Sequence, residues 1–350
     1  MTHQGLVDIM LMSAAVNEQL TIKEGLFKHS HITPAARAND ATDVWAARHG
    51  SYLKEPARPF RSASIDHIQC GKVECDRPEE GDDDDFPGAN LGLYSVTWLN
   101  DLDQDYKTLQ AFKEFREEAE RKRFKYFLEV FDPNVNSGIP PEKLGEFIND
   151  QILRNLAGVT EAGRPQFLKI VYHGPKLMEE LCQYDPQMVV GILGGSAGTT
   201  YDAFKLLHDA KKHGARVALY GRKINNAEHQ LAFIEFLRMI AEDRVGPQEA
   251  VRAYHGVLQG LKIAPNRPLE DDLVVTDQAM SYDGSAVQKS RIEVRNNPLA
   301  KQPAAGPTKT KSSGQVTDWP KKESGKPDFA AMTGDQRRAY HRARLKRTFG

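Results

Sequence analysis

Short apolar and β-branched runs alternate along the chain with stretches whose apolar residues recur every three or four positions. The runs predict strands at Leu6–Met12, around His31, and at Ser64–Cys70, Leu91–Trp98, Lys125–Phe131, Phe167–Tyr172, Met188–Leu193 and Arg216–Tyr220. The helical spacing predicts helices over Asp105–Lys122, Pro141–Leu156, Pro175–Gln183 and Thr200–His213. Two further helices follow the last strand, Ala227–Glu242 and Pro247–Gly260, with Gly246-Pro247 as the stop and restart between them. Such alternation forces parallel strands with helices packed outside. Eight strands in this order predict an α/β fold of the (β/α)8 TIM-barrel type over residues 1–272, close to the roughly 250 residues such a barrel typically takes.

Beyond Asp272 the pattern stops, and Pro, Ser, Lys, Asn and Gly replace the large apolar residues. Residues 273–350 are expected to form a low-complexity, mostly disordered tail. From Lys301 onward twelve Lys and Arg face four Asp and Glu, and a short basic helix is predicted at 334–348. Clustered cations release counterions from polyanions, but a solvated tail outweighs a nucleic-acid arm as the reading of so short a patch. The acidic run Glu79–Asp85 is read as a solvated loop, because contiguous aspartates repel instead of converging on a cation.

Composition narrows the class without giving the chemistry. A net charge of −1, 40% hydrophobic and 27% charged residues fit a globular body with a sizeable core and do not fit one built to hold a polyanion. Cys70, Cys75 and Cys182 are odd in number and lack zinc-finger spacing, so reduced thiols and no metal are expected. Gly5–Ala15 is apolar but too short to span a bilayer and has no preceding Lys or Arg. The expected setting is therefore cytoplasmic, with no membrane partner. Residues 35–62, with Trp45, Tyr52 and Arg61, read equally as a lid or as plain packing.

Two charges interrupt otherwise apolar strands. Lys169 lies in Phe167-Leu168-Lys169-Ile170-Val171-Tyr172, and Glu129 lies in Lys125–Phe131 with the parity of Phe127 and Phe131. Desolvation favours an amine over an ammonium, and a neutral amine attacks a carbonyl to form an imine. A buried structural ion pair is the equal alternative on spacing alone. Period two lets both side chains point inward on neighbouring strands, near the end where barrel active sites lie. The seventh predicted strand runs into Gly194-Gly195-Ser196, and the eighth into Gly221-Arg222. Glycines admit a phosphate to the backbone and Arg222 adds a charge-assisted contact, at the two loops where barrels bind phosphate. Asp66, His67, Asn100 and Asp101 stand near strand ends as polar pocket candidates or as caps.

The block from Phe124 to Ile224, with FLEVFD, FLKIVYHG, LGGSAGTTYDAF and GARVALYGRKI, resembles the class I aldolases of the deoxyribose-phosphate and tagatose-bisphosphate aldolase superfamily. The resemblance covers about a third of the chain. It implies a Schiff base on Lys169, acid–base work for Glu129, and substrate phosphate at Gly194, Gly195, Ser196, Gly221 and Arg222. It further implies a lyase of carbohydrate metabolism that makes or breaks a carbon–carbon bond of a phosphorylated ketose, with no metal and no cofactor. The family's first strand commonly ends in an Asp, whereas Met12-Ser13-Ala14-Ala15 stands here. Expected partners are a sugar phosphate and further copies of the chain. Alternatives remain: another Schiff-base or phosphosugar reaction such as isomerisation, or an aldolase acting on a deoxysugar or keto acid; a phosphosugar-binding barrel without turnover; and an NADP-binding oxidoreductase with Arg222 on the 2′-phosphate. The last lacks a G-x-G-x-x-G and a third parallel strand downstream.

Overall fold

The computed structural model describes residues 1–44, 49–76, 86–195 and 198–276, with shorter pieces between 319 and 343. Seven strands form one parallel sheet: β1 (Ile9–Met12), β2 (Thr33–Arg37), β5 (Leu91–Thr97), β6 (Lys125–Phe131), β7 (Leu168–Ile170), β8 (Val190–Leu193) and β9 (Val217–Leu219). Between β2 and β5 the two-residue strands β3 (Asp40–Ala41) and β4 (Pro59–Phe60) pair antiparallel. The sheet order follows the chain order, so each crossover leads to the neighbouring strand of the sheet. Among the described residues no hydrogen-bonded ladder joins β9 to β1.

The third predicted strand, Ser64–Cys70, is instead the helix α2 (Ile65–Cys70). Ser64 Oγ caps it by accepting from the His67 amide, and Gly71 ends it in the left-handed conformation. Buried Ile65 and Ile68 are three residues apart, which is a helical face and not strand alternation. The sheet therefore has seven strands where eight were expected, and the strand expected around His31 begins at Thr33.

The sheet curls. Ile9, Leu11, Ala35, Leu91, Leu93, Phe127, Phe167, Val189, Val217 and Leu219, drawn from both ends of the strand order, pack as one inner cluster. The other face buries Tyr94, Val96, Leu128, Val130 and Ile170 against the helices in the main core. These include α1 (Ala14–Asn17), α3 (Leu102–Arg121), α4 (Leu144–Leu156), α5 (Pro175–Tyr184), α6 (Thr200–Lys212), α7 (Arg222–Asn225), α8 (Gln230–Ala241) and α9 (Pro247–Gly260). Both faces being covered explains why these strands read as near-continuous apolar runs.

Cys70 and Cys75 are bonded to each other, which corrects the expectation of three reduced thiols; Cys182 is free. The left-handed turn at Gly71 brings their Cα atoms to 5.5 Å, inside bridging range. No helix among the described residues is long and apolar enough to cross a membrane. The chain divides into compact units over Met1–Ser290 and Arg291–Gly350. In the second, Trp319 and Tyr340 meet edge to face at 5.2 Å, and Lys321 bridges Pro327. Within the predicted basic helix, residues 336, 339, 340 and 343 are helical, and the others lie outside the described residues. The acidic run Glu79–Asp85 also lies outside them.

Candidate active site

Parallel register sets Ser95 of β5 beside Glu129 of β6, Glu129 beside Lys169 of β7, and Lys169 beside Gly191 of β8. Leu93 and Phe127, two residues earlier on their strands, and Phe167, immediately before β7, belong to the inner cluster, so this row shares its parity and faces the interior. Phe131, Val171 and Leu193, two residues later, form a second apolar layer. The polar row thus lies between two apolar layers, one step below the carboxyl rim.

Within the row the Lys169 ammonium pairs with Glu129 Oε1, and the two residues are 9% and 2% exposed. Ser95 Oγ donates to Glu129 Oε2 at 2.7 Å. Arg37, the last residue of β2, places Nη1 3.9 Å from the same oxygen and 3.3 Å from Asp40 Oδ1. Asn39 then ties the following segment to β5, accepting from the Ser95 amide at 2.6 Å and donating to the Ser95 carbonyl at 2.8 Å. A carboxylate held by an ammonium, a hydroxyl and a nearby guanidinium is fixed in position while losing most of its water. On the far side of Lys169, Gly191 contributes no side chain. A Cβ there would come within 2.8 Å of the Leu168 carbonyl oxygen and of Val217 Cβ, so strand spacing alone requires glycine.

Further polar groups face the rim. Asp132, directly after β6, pairs with His173 Nε2 at 3.0 Å across the end of β7. Thr97 has the inward parity of Ser95 and stands in register with Phe131. Its Oγ1 is buried with no hydrogen-bond partner. Asp43, in the turn after β3, is 3% exposed, and its Oδ1 likewise has none. Burial pushes the Asp43 carboxyl above the usual aspartate range, partly offset by its own backbone amide. The neighbouring Val44 packs on Phe131, Val171 and Leu193.

The expected phosphate residues sit at the ends of β8 and β9. Gly194 is required sterically, since a Cβ would fall inside the Tyr220 ring; its amide already donates to the Leu219 carbonyl at 2.9 Å. Gly195 turns the chain at φ +57°, and Ser196 lies outside the described residues. Gly221 and Arg222 are exposed, while Lys223 is buried and donates to the Gly198 carbonyl at 2.8 Å. Burial is the main force holding the Lys223 ammonium below its ordinary value, with Arg267 adding to it. The adjacent N-terminus of α6 is occupied by the chain's own carboxylates. Asp202 accepts from the Thr199 amide and Asp272 from the Thr200 amide, both at 2.8 Å. Asp272 also pairs with His255 at 3.0 Å.

Sequence reasoning found the pair at the centre but not its surroundings. Ser95 carried a usable signal, as a polar residue which, with Thr97, shares the inward parity of an apolar strand. Arg37, Asn39 and Asp272 carried none, because each acts through a contact distant along the chain, and Asp40 and Asp43 lie in a segment without strand or helix periodicity. Asp66 and His67 lie on α2, bonded to Lys122 and Ser64. Asn100 donates to the Ser137 carbonyl and Asp101 caps α3, so these four are structural. Arg61 lies 5.3 Å over Phe115 and pairs with Glu118, which is packing; Tyr52 is exposed, and Trp45 lies outside the described residues.

No protein-family model and no curated protein matches the chain. Solved structures do. A fructose-bisphosphate aldolase from Slackia heliotrinireducens DSM 20476 is 13% identical with a TM-score of 0.50, over 80% of this chain and 78% of its own. An archaeal fructose 1,6-bisphosphate aldolase is 13% identical with a TM-score of 0.46, over 69% of this chain and 95% of its own. A Schiff-base-forming fructose-1,6-bisphosphate aldolase is 15% identical with a TM-score of 0.45, over 69% and 96%. At these identities the likeness, carried by the first of the three, is one of fold.

Proposed function

We propose that the chain is a lyase of the class I aldolase type, working as a barrel, that forms or cleaves a carbon–carbon bond of a phosphorylated ketose through an imine on Lys169. The observation that carries this reading is the inward-facing pair of Lys169 and Glu129 on adjacent strands, inside a layer of apolar side chains. Ser95 and Arg37 hold the carboxylate in place whether or not the amine remains charged.

In this reaction the neutral Lys169 amine attacks the ketone, water leaves, and the protonated imine accepts the electron pair of the breaking carbon–carbon bond. Glu129 takes the proton from the amine and returns it to the departing hydroxyl, as its bond to Nζ permits. The substrate phosphate is assigned to the loops at Gly194–Ser196 and Gly221–Arg222. The Gly195 amide and the Arg222 guanidinium are assigned to it as donors, while Gly194, Thr199 and Thr200 spend their amides within the chain. That internal use of donors gives some support to a second reading, a phosphosugar-binding barrel without turnover.

Borohydride reduction in the presence of ketose phosphates or dihydroxyacetone phosphate, followed by digestion and mass spectrometry, separates the two. An adduct on the peptide containing Lys169, absent from Lys169→Ala, is the expected result. Ligand binding without an adduct would leave the non-catalytic barrel.

A further inference from the structure

Both oxygens of Glu129 are committed. Oε1 holds the Lys169 ammonium, and Oε2 accepts from Ser95 Oγ with Arg37 close by. A carboxylate so engaged serves proton transfers at the lysine nitrogen, but carbon–carbon cleavage needs a second base, for the hydroxyl on the carbon that departs as an aldehyde. That base has to lie on the rim side of Lys169, because the other side is filled by Leu93, Phe127 and Phe167.

The segment from Asn39 to Val44 is fastened across that rim. Asn39 is bonded twice to Ser95, Asp40 reaches Glu129 through Arg37, and Val44 rests on Phe131, Val171 and Leu193, directly beyond Glu129, Lys169 and Gly191 on their strands. Asp43 lies between these anchors. It is 3% exposed, and Oδ1 has no hydrogen-bond partner among the described residues. Leaving a buried carboxyl oxygen unpaired costs stability, so evolution would more cheaply place an apolar residue there unless the group is used. Thr97, with its own unpartnered hydroxyl, is a further polar side chain of the rim layer, beside the Asp132–His173 pair.

We infer that Asp43 is a catalytic acid–base group of this site, moving the proton between the substrate hydroxyl and the enamine carbon while Glu129 serves the imine nitrogen; this rests on the Schiff-base reading. In cleavage, the Asp43 carboxylate takes the hydroxyl proton. The oxygen lone pair forms the aldehyde carbonyl, the carbon–carbon bond breaks, and its electrons pass through the new enamine double bond to the iminium nitrogen. The aldehyde leaves, and the Asp43 carboxyl returns its proton to the enamine carbon, restoring the iminium for hydrolysis. Protons and electrons balance without an added reagent. A carboxyl whose proton affinity is raised by burial is better matched to both transfers near neutrality than an ordinary aspartate.

The test compares wild type with Asp43→Asn, which keeps shape and removes proton transfer. The three readouts are borohydride adduct on Lys169 with dihydroxyacetone phosphate, cleavage of a ketose bisphosphate, and the urea midpoint. Asp43→Asn is expected to form the adduct at wild-type yield, to lose about 100-fold or more in cleavage, in line with general acid–base contributions, and to unfold at the same or higher urea. Cleavage within about threefold of wild type with the adduct intact would overturn the role of Asp43 and leave the imine standing. A lowered urea midpoint with loss of the adduct would make Asp43 a structural residue and overturn the role as well. Failure of wild type itself to form the adduct would remove the Schiff-base reading, and the role of Asp43 with it.

Discussion

Replacing Lys169 by methionine removes the cation paired with Glu129 Oε1 and leaves that carboxylate 2% exposed. Breaking a buried pair by deleting one partner costs about 3–5 kcal/mol. Glu129 would keep the Ser95 hydroxyl at 2.7 Å and Arg37 at 3.9 Å, which places Lys169→Met toward the lower end, about 3 kcal/mol. Glu129→Gln strands an ammonium that is 9% exposed, without a carboxylate, and belongs toward the upper end, about 5 kcal/mol. The double variant carries no net charge at either position, and Gln can still accept from Ser95. Its loss should therefore fall short of the sum of the two single losses by at least about 2 kcal/mol. Urea denaturation of the four proteins, followed by far-UV circular dichroism with a common slope, measures the cycle. Losses that add to within about 0.5 kcal/mol would refute the pairing, and with it the arrangement on which the imine chemistry is built.

Three other consequences are open to direct measurement. Gly194→Ala drives a methyl into the Tyr220 ring and should cost about 1–3 kcal/mol, read as a lowered thermal midpoint; an unchanged midpoint would contradict the packing. Burial raises the proton affinity of Asp272, but hydrogen bonds from Thr200 and His255 outweigh it and hold the carboxyl below its ordinary range. Its stabilisation is therefore complete above the ordinary carboxylate range and is lost as pH falls through the depressed value, so the gap in thermal midpoint between wild type and Asp272→Asn should close in acid. The Cys70–Cys75 bond closes a short loop of sequence separation 5, worth about 2 kcal/mol in chain entropy. Cys70→Ser/Cys75→Ser should lower the urea midpoint accordingly and abolish its dependence on reductant.

Local pattern determined most of the sheet and its helices. The apolar runs at Leu91–Thr97 and Lys125–Phe131 are long, buried on both faces and bounded by clear helical periodicity, so their state and parity follow from the sequence. Parity alone was enough to set Glu129 and Lys169 facing inward. Ser64–Cys70 shows where that reasoning stops. Seven residues mixing apolar and polar types fit either period, and the cap at Ser64 together with burial of Ile65 and Ile68 selected a helix, which removed one strand from the expected eight. The cysteines behaved similarly, since only the turn at Gly71 brought Cys75 to Cys70. Most of what surrounds the central pair was decided by tertiary structure. Arg37 comes from the end of β2, Asn39 from the segment before β3, and Asp272 from beyond α9. Their contacts with Glu129, Ser95 and Thr200 span between 56 and 92 positions, across which side-chain periodicity carries no information. Hydrophobic period fixes which way a strand's side chains point; which polar groups meet there depends on how loops close over the sheet, and that is settled only when the whole core packs.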